Sequence, residues 1–438
     1  MPTNAFTRVV VVLVGMVAAG ALVRVREAPA QQAADFSIAT YNINYGNTDL
    51  RGVVQSILKS NADLAALQET NKQSEDFLRK ELTKTYPHVA FSPAGDAAGG
   101  FAMLSKAPLE KAQYYPRRAE DGGWFGRQTA RVTLGGRELL IVNVHLTATT
   151  PQQGMDLKAV TALFLKTDAV REKEIRYIVG QLPKRWPVFV LGDFNSVPKV
   201  SGVPDFMVKS GFTDCMAGAL PDADSVPTWH WKAAGTEYSS RLDYIFSARM
   251  SAKAAGGQVI PSDASDHYLV TCSFKPLPLP IALGPSHTEA LNVAYIVDAA
   301  DMTAERAATA RGLVTASMTA LTREQNVCFV TVGGTATAVP PEPAPATDET
   351  RALVAEALKK VPVRTESLLP AVRKATGLLQ EEAAPKALFV LSDRLANDPA
   401  LLKSARALVT DRRVQLFLLD AEGKPVGDAA GDAPPAPK

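Results

Sequence analysis

Cysteine is nearly absent: the 438 residues hold three, Cys215, Cys272 and Cys328. So sparse and odd a set excludes a disulfide framework, and its spacing matches no cysteine metal site. Each is expected to be a small buried apolar side chain. An excess of one charge is missing too. The formal net charge is +2, so nothing in the sum announces a nucleic-acid partner, which leaves room only for a local basic face. Histidine is scarce, with five in the chain, and the position of each is therefore informative. Long apolar runs are confined to Val9–Val23, a short stretch for a spanning helix. There are no tandem repeats.

What is present fits a globular protein. Hydrophobic residues make up 46% and charged residues 21%, an ordinary balance. The length exceeds one usual core and suggests two domains with short extensions. At the N-terminus Arg8 precedes the apolar run, Arg24–Glu27 is polar, and Ala28-Pro29-Ala30 leads to Gln31. A charged start, a short apolar stretch and a small-x-small site describe an export signal over 1–30, with the mature chain starting near Gln31. The competing reading is an uncleaved membrane anchor. Either way the bulk of the chain is expected to be soluble and extracytoplasmic.

From Asp35 onward strand-like runs alternate with helical patterns. Strands are expected at Phe36–Ile43, Ala62–Thr70, Phe101–Ser105, Arg241–Ser247 and His267–Phe274, and helices at Leu50–Ser60, Phe77–Thr83 and Glu172–Leu182. Arg127–Leu134 and Glu138–His145 flank Gly135-Gly136, a hairpin signature. Paired sheets covered by helices follow for a first domain over 35–276. "KPLPLPIALGPSH" (Lys275–His287) reads as a stiff proline-rich linker, set at 277–289. A βαβ alternation over 290–421 then implies a small, mostly parallel sheet with helices on both faces, interrupted by a Pro/Ala-rich loop near Pro340–Ala346. The tail, 422–438, is Pro, Gly, Ala and Asp and is expected to be disordered.

"PVFVLGDFNSVP" (Pro187–Pro198) runs from five apolar residues into Asp193 and Asn195. A buried strand ending on a carboxylate and an amide is either followed by an Asx turn or aimed at chemistry. Similar strand ends recur: Asn42 in "TYNINYG", Glu69 in "LQET", His145 in "VNVHL", Asp243 in "SRLDYIF", and Asp266-His267 in "SDHY". Singly each has a structural explanation. Asn42 could cap a turn, Glu69 could be solvated, His145 could be a satisfied core histidine, and Asp243 could pair with Arg241. Together they bring metal-liking and proton-moving groups to one set of strand ends.

These motifs resemble the endonuclease/exonuclease/phosphatase superfamily, the fold shared by DNase I, abasic-site endonucleases and neutral sphingomyelinases. The resemblance runs from about Phe36 to Phe274 and keeps the family's order. It implies a four-layer α/β sandwich, two sheets faced by helices, with the site at one rim. Phosphodiester hydrolysis needs an activated water, a stabilised phosphorane and a neutralised leaving oxygen, and a hard cation with oxygen ligands suits this. The resemblance implies Mg²⁺, or Mn²⁺ in its place, held by Glu69 with Asn42 and Asp266. It makes His267 the general base or water-orienting group, held by Asp243. His145 would face the phosphate, Asp193 would align the nucleophile, and Asn195 would donate to the phosphorane.

Trp229 and Trp231 in "PTWHWK" are read as core packing, with a stacking or membrane-edge lip as the functional alternative. "PRRAEDGGWFGR" (Pro116–Arg127) is a polar loop whose arginines either meet substrate phosphates or are solvated. The C-terminal unit resembles a von Willebrand factor A domain, a smaller Rossmann-like α/β fold. Where that family carries D-x-S-x-S, "DAADM" keeps Asp298 but has Ala300 and Met302. With Thr365 and Asp393 as remaining partners, too few donors are left for a metal; Asp301 offers a weaker residual site. The expectation is therefore an exported, Mg²⁺-dependent phosphodiesterase, foremost a nuclease, with a C-terminal unit for packing or protein contact. The alternatives are a sphingomyelinase-like phospholipid phosphodiesterase, which would meet a membrane through its substrate, and a non-catalytic binding module.

Overall fold

"FSIATYN" alternates little and is buried almost throughout, as suits a strand covered on both faces. This strand, Phe36–Asn42, pairs in parallel with Leu64–Thr70 through the helix Leu50–Ser60. The helix starts on Asp49, whose carboxylate accepts from the Gly52 N–H, and ends on Asn61 in the left-handed conformation. The next helix, Lys72–Leu82, opens with a capping box between Asn71 and Ser74. Leu269–Pro276 lies antiparallel on the other side of Phe36–Asn42. These strands form the centre of a six-stranded sheet.

The structure, a computed structural model, describes residues 35–427 except 93–97, 119, 121, 151–156, 221, 234–235, 251, 334 and 362–366. The expected export segment, Thr365, and the end of the expected tail from 428 lie outside the described residues, as does the side chain of Trp231.

A second six-stranded sheet carries the hairpin Arg127–Leu134/Arg137–His145, whose turn glycines take φ of 54° and 70°. Arg137–His145 runs parallel to Val188–Asp193 through the helix Leu157–Gly180. Asp243–Ala248 pairs antiparallel with Val188–Asp193. Between the two sheets lies a dry core including Ile38, Met103, Ile141, Phe189, Ile245 and Phe274. Separate cores join the first sheet to helices Leu50–Ser60 and Lys72–Leu82 and the second to Leu157–Gly180 and Gly202–Lys209. The result is helix, sheet, sheet, helix: the expected four-layer α/β sandwich.

A five-stranded C-terminal sheet follows. Asn292–Asp298, Asn326–Val330, Lys386–Ser392 and Val414–Leu419 are parallel. Helices Ala304–Ala320 and Asp348–Lys359 cover one face, and Leu369–Gln380 and Pro399–Leu408 the other. Three segments depart from expectation. The proline-rich stretch is not a linker but a hairpin, Pro280–Leu283/Ser286–Glu289, because Ile281 and Leu283 find a place in the C-terminal core. The Pro/Ala-rich loop is an edge strand, Ala338–Pro345, where a residue without an N–H costs no inner ladder bond. Residues 422–427 are no free tail: the Val426 N–H donates to the Leu418 carbonyl and Val426 is buried.

Candidate active site

Strand register builds the site. Across three neighbouring strands His145 stands opposite Asp193, and Asp193 opposite Asp243. In the other sheet Asn42 pairs with Gln68, and a bulge between Gln68 and Thr70 leaves Glu69 as the extra residue. The bulge aims its side chain. Glu69 and Asn195 both take left-handed backbone, φ 60° and 49°, a conformation that side chains rarely occupy without a reason. Asp243 and Asp266-His267 stand at the beginnings of strands rather than their ends. Those strands run antiparallel to their neighbours, so the residues reach the same rim.

Contacts then close a chain. Asn42 Nδ2 donates to Glu69 Oε1 at 2.9 Å and to Asp193 Oδ2 at 3.1 Å. His145 Nε2 lies 3.8 Å from Glu69 Oε1 and 3.5 Å from Asp193 Oδ2. His267 Nε2 lies 3.6 Å from the same Asp193 oxygen, and its Nδ1 is 2.9 Å from Asp243 Oδ2. Asp266 is held by Asn44 Nδ2 at 2.9 Å and Trp229 Nε1 at 3.3 Å. Asn195 donates its backbone N–H to Asp193 Oδ1 at 2.8 Å and its side chain to the Leu146 carbonyl at 3.0 Å. All eight expected residues thus share one rim. Arg241 is not the partner of Asp243: it is buried against Asp214 at 2.7 Å.

Several contributors gave no sequence signal. Thr228 Oγ1 donates to Asp243 Oδ2 at 2.7 Å. The Tyr45 N–H donates to Glu69 Oε2 at 3.0 Å. Ser265 Oγ meets the Asn42 carbonyl at 2.9 Å. Phe125 stacks on His145, centroids 3.8 Å apart and planes 9° apart. Trp229 was expected in the core. It is half-buried and bonded to Asp266 instead, a role that no spacing rule would reveal. From Phe125 and His145 a small pocket reaches Arg117, Arg118 and Arg127, so the arginine loop borders the site.

The electrostatics follow from burial. Burial pushes the Glu69 carboxyl upward, against the opposing bonds from Asn42 and Tyr45. Burial by itself would lower His267, but Asp243 and Asp193 outweigh it and hold the imidazole up to about 10. Asp193 is raised by burial, with Asp243 adding to the effect. Both carboxylates therefore favour the charged imidazole, Asp243 most directly through its bond to Nδ1.

The donor set fits a hard divalent cation. Glu69, Asp193, Asp243 and Asp266 converge on two imidazoles, and Asp243 Oδ1 is buried with no partner among the described residues. Such an oxygen-rich rim is short of positive charge. Asp193, Asp243 and His267 bring donor atoms within 4.8 Å of one another. Asp243 and His267 spend facing atoms on each other, however, which leaves Glu69 the more available carboxylate. Asn42 turns its NH₂ toward Glu69 and its oxygen toward the Asn44 N–H; as a ligand it would have to present that oxygen.

Asp298 and Asp393, the carboxylates left in the C-terminal unit's degenerate motif, meet guanidinium groups. Arg394 meets Asp298 at 2.7 Å and Arg306 meets Asp393 at 2.7 Å. Asp301 is exposed.

The family model described as Endonuclease/Exonuclease/phosphatase family matches residues 39–267. No curated protein matches the chain. Among solved structures, an endonuclease/exonuclease/phosphatase from Beutenbergia cavernae is similar at 20% identity, covering 59% of this chain and 75% of that one, with a TM-score of 0.43. Truncated Caenorhabditis elegans TDP2 matches at 20% identity over 55% of this chain and 98% of its own, TM-score 0.41. D. rerio TDP2 complexed with a single-strand DNA product matches at 17% identity over 55% and 99%, TM-score 0.42.

Proposed function

We propose, from the premise that this chain belongs to the Endonuclease/Exonuclease/phosphatase family, that it is an exported nuclease using Mg²⁺. As a member of that family the chain is a metal-dependent phosphoesterase. The observation that carries the reading is the unbroken chain of contacts Asp243–His267–Asp193–His145–Glu69–Asn42. The arginine pocket beside His145 supports a polyanionic substrate.

Glu69, with Asn42 and Asp266, would hold the metal, which when bound supplies charge stabilisation at the phosphate. Asp243 fixes His267 with Nδ1 as donor, so the neutral ring presents Nε2 as the base. Thr228 and the strand register keep Asp243 in place. Asp193 lies within 3.6 Å of His267 Nε2 and orients the group that gives up its proton. His145, its plane set by Phe125, faces the phosphate. Asn195 keeps a second Nδ2 hydrogen beyond the Leu146 bond and can donate it to developing charge.

A phospholipid substrate is the second reading, favoured by exposed Trp124 and Tyr45, neighbours of Phe125 and of the Glu69 contact. We read residues 1–30 as the export signal. We read the C-terminal unit as a von Willebrand factor A-like domain whose metal position is filled by Arg394. Plasmid DNA, RNA, sphingomyelin and a soluble phosphomonoester, each with Mg²⁺ and with chelator, form the deciding panel. Nucleic-acid hydrolysis lost in chelator and in Glu69→Gln, with an unchanged circular dichroism spectrum, is the expected result. Full activity in chelator would sink the reading.

A further inference from the structure

A cleft of about 590 Å³ opens between the sandwich and the C-terminal sheet, and none of the rim residues named above lines it. Its volume is that of a small-molecule site, and junctions between bodies are where such sites tend to form. Lys184 and Arg249 enter from the sandwich and Arg323 from the C-terminal unit. Among the described residues none of these three has a carboxylate within ion-pair distance. Two carboxylates also line the cleft, Glu324 and Glu342; Glu342 is held by Arg185 at 2.6 Å, and Arg185 also binds Glu382 at 2.7 Å.

Arg249 is the most telling. It follows the strand Asp243–Ala248 with a left-handed φ of 56°. Its Nε donates to the Trp186 carbonyl at 2.8 Å, while Nη2 is buried with no partner among the described residues. Burial lowers its pKa, the mark of a guanidinium held away from water without a counter-charge. An uncompensated buried cation is costly, and an anion in the cleft would relieve it. The opposite wall is the strand Ala338–Pro345, "AVPPEPAP", which brings Pro340, Pro341, Pro343 and Pro345. Prolines carry no N–H, so this wall offers few donors and is apolar apart from Glu342.

We propose that this cleft is a second ligand site, for a small phosphomonoester whose phosphate meets Lys184, Arg249 and Arg323 and whose apolar body lies on the proline strand. Three cations arriving from separate segments suit a dianion better than a single carboxylate charge.

The test is isothermal titration of the full chain in chelator and low salt, with phenyl phosphate, benzoate and inorganic phosphate as probes. Phenyl phosphate should bind wild type and Asn195→Ala equally, which separates the cleft from the rim. Affinity should fall at least tenfold in Arg249→Gln and in Lys184→Gln/Arg323→Gln. The double variant alters exposed side chains only, so it decides even if Arg249→Gln fails to fold. No binding to wild type, unchanged binding in the double variant, or loss in Asn195→Ala alone would overturn the site. Benzoate binding as tightly would overturn the phosphate, and inorganic phosphate binding as tightly would overturn the proline wall.

Discussion

His267 meets Asp243 through Nδ1 and faces Asp193 through Nε2. The carboxylates hold the ring protonated to about 10, yet a base must be neutral to act. The rate is therefore expected to climb with pH toward the alkaline range as His267 loses its proton. Asp243→Asn removes the nearest charge, so the rising limb should move to lower pH while the maximal rate falls through lost orientation. His267→Ala should cost on the order of a hundredfold or more, the usual loss with a missing base. pH–rate profiles at saturating metal check this. An unmoved limb in Asp243→Asn would make the pair structural.

At the scale of elements, tight backbone crossings aim the side chains. Gly192, beside Asp193, takes φ 146°, and a Cβ there would stand 1.9 Å from the Val144 carbonyl oxygen. Gly192→Ala should therefore cost more than about 1 kcal/mol of stability, and it should lower kcat by displacing Asp193 and His145 together. Urea unfolding alongside kinetics measures both. Gly100 holds the partner of the Glu69 bulge in the same way, with a Cβ position 1.9 Å from the Thr70 carbonyl oxygen. Gly100→Ala should reduce activity by re-aiming Glu69, read as a raised metal requirement in a titration of rate against metal.

Over the whole molecule, the sandwich and the C-terminal sheet are joined by charge and by a small apolar seam. Arg185 binds Glu382, Arg413 binds Glu138 at 2.5 Å, and Trp186 packs with Leu279, Leu291 and Ala383. Burial raises the Glu382 carboxyl above its ordinary value, with Arg185 opposing. Arg185→Met would leave that carboxylate buried and unpaired, a loss of about 3 kcal/mol at neutral pH. An acid raised on folding takes up its proton more readily in the folded state. The variant should therefore recover stability as pH falls from above the raised value to the ordinary one. Urea midpoints at pH 7 and pH 5 test this; an equal loss at both would mean that the charge is not the cause.

Composition and periodicity alone determined the alternation of strands and helices, and the short motifs around Asn42, Glu69, His145, Asp193, Asp243 and His267 carried the chemistry. Apolar strands covered on both faces leave a clear local pattern, and "GDFN" or "SDH" is contiguous. The paired sheets were legible in the strand alternation, while the four-layer sandwich and the common rim were legible only through the family resemblance that these motifs carry. That Asp243 and Asp266-His267 begin strands rather than end them came from the structure. What only the tertiary structure decided was non-local. Thr228, Tyr45 and Ser265 act through a hydroxyl or a backbone N–H that any turn could offer. Trp229 became a donor to Asp266 only once two distant segments met. The proline-rich stretches became a hairpin and an edge strand because core space and a free sheet edge were waiting for them. Such outcomes depend on which partner arrives across tens of residues, and no local pattern encodes that.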